Sequence, residues 1–260
     1  MKLFRVKMLA LATLFLAPTI AWAAAGDGLL GTDHDFASGL GAQTAAQTVG
    51  LCTFCHTPHK AQSTLLLWNH TLSSNAFSWD VAKTTAGTNF PTFAGGTYKG
   101  ATAKCLSCHD GSVAIGDIAW YKEQAWPSGT GMSTFNMGAE PSHQVGPGGA
   151  MKGNHPVAMP YPYNNAPNTY NGSTTGPAIV TAEWQTDPTL LVSSVSKIRL
   201  FNDDGTGNIS AGVVLGKTGI ECSTCHDPHN KSAVDEMFLR GKISGSTQAD
   251  GYLCLQCHKK

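Results

Sequence analysis

Cys222-Ser223-Thr224-Cys225-His226-Asp227-Pro228-His229 decides how this chain must be read. Two cysteines flank two residues, and a histidine follows at once. This is the spacing of c-type haem attachment. Each thiol adds to one vinyl group of the macrocycle, and the adjacent histidine lies under the ring to ligate the iron. Working outward, the pattern with its trailing Pro-His recurs at Cys52-Thr53-Phe54-Cys55-His56-Thr57-Pro58-His59. Plain copies occur at Cys105-Leu106-Ser107-Cys108-His109 and Cys254-Leu255-Gln256-Cys257-His258. These motifs use all eight cysteines. Four covalent haems c are expected, attached at Cys52, Cys55, Cys105, Cys108, Cys222, Cys225, Cys254 and Cys257. His56, His109, His226 and His258 are the expected proximal ligands.

Zinc and disulfides account for less. Zinc ribbons separate their cysteine pairs by roughly 15–20 residues, whereas here Cys55 and Cys105 are 50 positions apart and Cys225 and Cys254 are 29 apart. Neither alternative explains a histidine after every pair.

Residues 1–23 read as a secretory signal peptide. Lys2, Arg5 and Lys7 precede an apolar stretch from Leu9 to Ala21, and Ala21-Trp22-Ala23 is a small-x-small cleavage site. The apolar run is too short for a transmembrane anchor, and no later segment is apolar enough to span a bilayer. Export to the periplasm, cell surface or beyond is expected, where haem of this kind is attached. Removing the three basic residues of the leader leaves fourteen against seventeen acidic ones, so the remaining chain carries about −3. That excludes nucleic acid as a natural partner.

Charged residues make up only 13% of the chain, with 29 glycines and 13 prolines. This composition suits irregular backbone wrapped around large apolar cofactors. The expected fold is mostly irregular, with short helices on the motifs, a further helix at 233–240 and a small β-hairpin within 195–215. In that hairpin Lys197 to Leu200 is the first strand, Asn202 to Gly205 the turn and Val213 to Leu215 the return. Residues 24–260 form one expected domain, with haem-pair segments at 52–109 and 222–258 and an insertion around 120–190. Within it, 153–182 holds no charged residue but three tyrosines, which predicts ordered coil.

An iron that only carries electrons needs a second axial ligand; an open position permits substrate binding. Ten histidines less the four in motifs leave six. His34, His59, His155 and His229 are the expected distal ligands, with His70 and His143 spare. His59 and His229 each follow a motif histidine by three residues, which reach at most roughly 10 Å. Distal and proximal ligands lie on opposite ring faces, so neither serves its own motif's haem. His229, the nearest candidate upstream of the fourth motif, is expected to ligate the fourth haem; His34 at the first and His155 at the second is one scheme for the others. His59 is left for the third, in its own chain or a neighbour's.

The chain resembles multihaem cytochromes of the doubled Cys-x-x-Cys-His type, and most of all the tetrahaem OmcE-like extracellular cytochrome nanowires. The resemblance is carried by His34-Asp35-Phe36, Cys52 to His59, Leu67-Trp68-Asn69, Cys105 to Gly111, Asn154-His155-Pro156-Val157, Cys222 to His229, Phe238-Leu239-Arg240 and Leu253 to His258. It implies bis-histidine haems in a continuous stack, and a head-to-tail homopolymer in which one histidine is supplied to a neighbouring subunit. Redox proteins or extracellular electron acceptors are the other implied partners. The alternative is a monomeric periplasmic shuttle or a subunit of a redox complex. An enzyme is not expected: no Cys-x-x-Cys-Lys motif marks an open iron, and histidines are plentiful.

Overall fold

Glycine raises the entropic cost of ordering a backbone, and proline lacks an amide donor. Their abundance leaves few stretches able to sustain a helix or strand. The computed structural model describes residues 23–36, 50–59, 61, 65–81, 92–118, 137–139, 141–173, 183–191 and 196–259. Residues 1–22 of the expected leader, and 174–182 of the uncharged segment, lie outside them. Among the described residues there are three short helices and six strands of two or three residues, joined by turns and 3-10 segments. The mostly irregular fold expected from composition is the one observed.

The helices α1 (Ala101–His109), α2 (Cys222–Cys225) and α3 (Leu253–Cys257) each carry a motif. The first motif does not form a helix; it closes a single turn, with the His56 amide donating to the Cys52 carbonyl at 2.9 Å. α1 is longest because Ala101, Ala103, Lys104 and Leu106 all favour helix. Its N-cap, Gly100, has no side chain to receive the first-turn amides. A carboxylate from far along the chain takes over: Glu221 accepts from the Thr102 amide at 2.7 Å. In return the Thr102 hydroxyl accepts from the Cys222 amide at 3.2 Å. Glu221 also caps α2, in a capping box with Thr224. Two motif helices are thus locked at their N-termini by a bond that spans 119 residues.

β1 (Ala76–Phe77) pairs antiparallel with β2 (Phe93–Ala94). β3 (Met159–Pro160), β4 (Phe201–Asp203), β5 (Ile209–Ala211) and β6 (Thr218–Ile220) form an antiparallel sheet in the order β3-β6-β4-β5. The hairpin expected within 195–215 is present as β4 and β5, but displaced. Asn202 and Asp203 are in the strand, opposite Ser210 and Ile209. The turn moves on because the Asp204 carboxylate collects the Thr206 amide at 2.7 Å, the Thr206 hydroxyl at 2.6 Å and the Asn208 amide at 3.2 Å. Val213 to Leu215 do not return as a strand; they lead into β6. The helix expected at 233–240 is absent, since Met237 (φ 53°) and Phe238 (φ 61°) are left-handed.

Residues 153–173 are ordered coil around β3, pinned by Tyr161 and Tyr170, which are 1% and 0% exposed. Tyr170 lies flat on β6, where a Cβ at Gly219 would meet its ring at 2.3 Å. The apolar interior is divided. One cluster gathers Phe77, Phe93, Tyr98, Leu106 and Met151. A second holds Met159, Tyr161, Leu200 and Ile220 and reaches Trp184 and Cys257. Among the described residues no helix is long and apolar enough to cross a membrane.

Candidate functional site

The first and third motifs share the same set of backbone hydrogen bonds to the segment that follows each of them. The Thr57 amide donates to the Leu67 carbonyl at 2.8 Å, and the Asp227 amide to Phe238 at 2.7 Å. The Asn69 amide donates to Cys55 at 2.9 Å, and the Arg240 amide to Cys225 at 2.7 Å. His56 bridges Trp68, and His226 bridges Leu239. In each copy a left-handed pair, Leu66-Leu67 or Met237-Phe238, turns a carbonyl onto the motif imidazole. His56 Nδ1 meets the Leu66 carbonyl at 2.6 Å, and His226 Nδ1 meets Met237 at 2.8 Å. His109 Nδ1 meets the His143 carbonyl at 2.9 Å. A carbonyl on Nδ1 fixes that nitrogen as the donor and leaves Nε2 with its lone pair for a metal. The site, not local propensity, explains the strained dipeptide that breaks the expected helix.

Three of the expected distal histidines stand opposite motif histidines. His229 lies 6.1 Å from His56 between ring centroids, His34 lies 6.1 Å from His109, and His155 lies 6.4 Å from His258. Two imidazoles bound through Nε2 on opposite sides of one metal, with bonds of about 2.0–2.1 Å as for zinc, have centroids roughly 6 Å apart. The residues therefore fit a bis-histidine haem at three motifs. The ring contacts place these histidines against motifs other than those expected from sequence. His229 faces the first motif rather than the fourth, His34 the second rather than the first, and His155 the fourth rather than the second. The cause is the fold, which lays the third motif against the first. As reach required, His229 does not face its own motif. His226 has no imidazole in ring contact among the described residues, and both it and His59 are exposed. Of the spares, His70 is 2% exposed, with its ring nitrogens on the Thr71 and Ala114 carbonyls at 2.8 and 2.9 Å. His143 is exposed and contributes its carbonyl to His109.

The cysteines are free of disulfides and adjoin one another in chain order. Burial, then the neighbouring Cys108, pushes the Cys55 thiol up to about 12. The thiols of Cys105 and Cys222 share a hydrogen bond, which raises Cys105 and lowers Cys222. Burial, then Cys222 and Cys254, pushes Cys225 up to about 12. Attachment edges thus run from motif one to two, two to three and three to four. Six of the eight cysteines are half-buried at these junctions; Cys52 and Cys254 are exposed.

The two copies differ in charge. The third motif carries a buried ion pair, Arg240 to Asp227 at 3.4 Å, with both side chains nearly inaccessible. Arg240 Nε also donates to the Ser223 carbonyl at 3.0 Å. In the first copy the same places hold Asn69, which donates to the Thr53 carbonyl at 2.5 Å, and Thr57. Sequence reasoning missed Glu221 and Arg240, whose roles depend on distant partners.

Neither a curated protein nor a solved structure matches the chain. Residues 216–260, which span α2, α3 and the third and fourth motifs, match the family described as the doubled CXXCH motif. With that match over part of the chain, the CXXCH motifs and the imidazoles aimed by backbone carbonyls imply covalent haem binding and electron transfer of the c-type cytochrome kind.

Proposed function

We propose that the protein carries four bis-histidine haems and acts as the repeating subunit of an exported, head-to-tail cytochrome filament. When bound, each haem supplies a one-electron couple at its iron. The chain's part is to hold paired imidazoles on the metal and to bring successive attachment edges together. His34, His155 and His229 take the distal positions at the second, fourth and first motifs. With both axial sites filled, iron carries electrons and does not bind substrate.

The observation that carries the filament is the internal repeat, whose outermost equivalent cysteines, Cys52 and Cys254, are exposed. Within one chain the first cysteine of the second motif, Cys105, abuts the first cysteine of the third, Cys222. The equivalent cysteines across the next repeat are Cys254 and Cys52, and these two are exposed. Likewise His229 of the third motif faces the first motif's His56. Advancing that relation by one repeat sets His59 of a following subunit against His226. Both ends then complete one heterologous contact, which propagates without closing. The leader at 1–23 supports export, and such a filament would pass electrons to redox proteins or acceptors outside the cell.

Two variants test this reading. His229→Ala should convert one haem to high spin, the one attached at Cys52 and Cys55, in the paramagnetic resonance spectrum of the oxidised protein. His70→Ala should leave all haems low-spin. His59→Ala should abolish filaments in negative-stain micrographs and release subunits with one high-spin haem. Filaments with four low-spin haems per subunit in that variant would refute the inter-subunit ligand. Wild-type protein that is monomeric whenever isolated would favour a shuttle.

A further inference from the structure

Glu221 is 1% exposed and sits immediately before Cys222, against Cys105. Its carboxylate accepts the Thr102 amide at 2.7 Å, the Tyr170 hydroxyl at 2.5 Å and the Tyr98 hydroxyl. The titratable groups facing it are Tyr98, Tyr170, the buried Lys104, Cys105 and Cys222. The two cysteines become thioethers once haem is attached and cease to titrate. Lys104 is 3% exposed and donates to the Lys99 carbonyl at 2.7 Å, not to Glu221. A buried carboxylate without a direct ionic partner is costly, and two helix caps alone do not require a charge. Tyr98 belongs both to this hydrogen-bond shell and to the lining of a cavity of about 370 Å³ shared with Lys99, Asn171 and Asp203. Tyr98 thus touches both the carboxylate and the cavity.

We propose that Glu221 is a redox-linked proton site at the junction of the second and third motifs, exchanging its proton through Tyr98 and the adjoining cavity. It rests on the electron-transfer reading. One electron arrives from the redox donor and one proton from solvent; the only bond made is O–H on Glu221, and oxidation reverses both. An electron added beside a buried carboxylate in low dielectric raises its proton affinity. Burial already lifts this carboxyl above its ordinary value, while the hydrogen bonds from Thr102, Tyr170 and Tyr98 partly offset that rise. Uptake therefore belongs above the usual carboxylate range.

The test is spectroelectrochemical titration of the haem-loaded protein at a series of pH values. In wild type, one midpoint potential should fall by up to about 59 mV per tenfold drop in proton concentration, the limit for one proton per electron. It should be flat on either side of that window. Glu221→Gln mimics the protonated acid: its oxygen still receives the Thr102 amide, and its amide can donate to the tyrosine hydroxyls. This slope should vanish in that variant, while any slope from haem propionates persists in both proteins. Tyr98→Phe removes a donor to the carboxylate and should move the window to higher pH. In infrared difference spectra, reduction should produce a protonated-carboxyl band in wild type that Glu221→Gln lacks. An unchanged slope in Glu221→Gln, or no such band in wild type, overturns the proton site while leaving electron transfer intact. Haems that do not cycle reversibly would overturn the electron-transfer reading as well.

Discussion

With all eight motif cysteines changed to alanine, the chain is expected to lose cooperative folding altogether. Strands of two or three residues fall below the usual five or six. The longest helix, nine residues, is shorter than the ~12–15 needed for an isolated helix to be even marginal in water. Among the described residues the apolar interior gathers in two small clusters, which reach the second motif through Leu106 and the fourth through Cys257 but not the first or third. Under the proposed function, much of what organises 52–59, 222–229 and 253–258 is the cofactor, held by two thioethers and its axial imidazoles. Folding and haem binding are then one free energy, as in small metal-stapled domains. The alanine chain should show no cooperative thermal transition and a featureless near-ultraviolet dichroism spectrum. A sharp transition with retained aromatic dichroism would show that the polypeptide holds its fold unaided.

Arg240→Ala is the single substitution expected to destabilise the haem-loaded protein most, by about 3–5 kcal/mol, the cost of removing one partner of a buried pair. Arg240 is 3% exposed and Asp227 4%. Loss of the guanidinium strands the carboxylate and leaves the Ser223 and His226 carbonyls with a lost donor. Burial would raise the Asp227 carboxyl, but the Ser232 amide, the Arg240 charge and the His229 amide outweigh it and hold it below its ordinary value. That contribution is present above the unfolded-state value near 3.9 and is lost as pH falls through the lower folded one. Asn69→Ala, at the equivalent neutral position, should cost only about 1–3 kcal/mol. Urea unfolding of both variants at neutral pH checks the contrast. Equal losses would mean that the ion pair contributes no more than the amide it replaces.

Local chemistry was legible in the sequence; long-range closure was not. The motifs, their cofactor and the sparse secondary structure follow from cysteine spacing and from glycine and proline content. The turn signal at Asn202 to Gly205 found the hairpin but not its register, because Asp204 draws donors from Thr206 and Asn208 further on. The segment 233–240 has a helix former's composition, yet His226 needs the Met237 carbonyl, and that need reverses the backbone. Sequence proximity paired the histidines otherwise than the ring contacts do, since no local pattern announces that His229 comes to rest against His56. The echo of Thr57-Pro58-His59 in Asp227-Pro228-His229 marked a repeat. Its extent became visible only through equivalent hydrogen bonds with unrelated side chains. Glu221 carries no periodic signal at all; its position directly before Cys222 was the one available hint.

Residues 24 to 28 are tied down late. The Asn230 side-chain amide donates to the Ala24 and Gly28 carbonyls at 3.0 Å each, across as many as 206 residues. At a synthesis rate of about 5–20 residues per second, residue 230 follows residue 24 by roughly 10–40 s. Through that interval the beginning of the chain lacks its native clasp, and the first two motif segments wait for a latch that has not yet been made. The order of manufacture thereby leaves the cysteine pairs of both segments open before Asn230 closes over the amino-terminal residues.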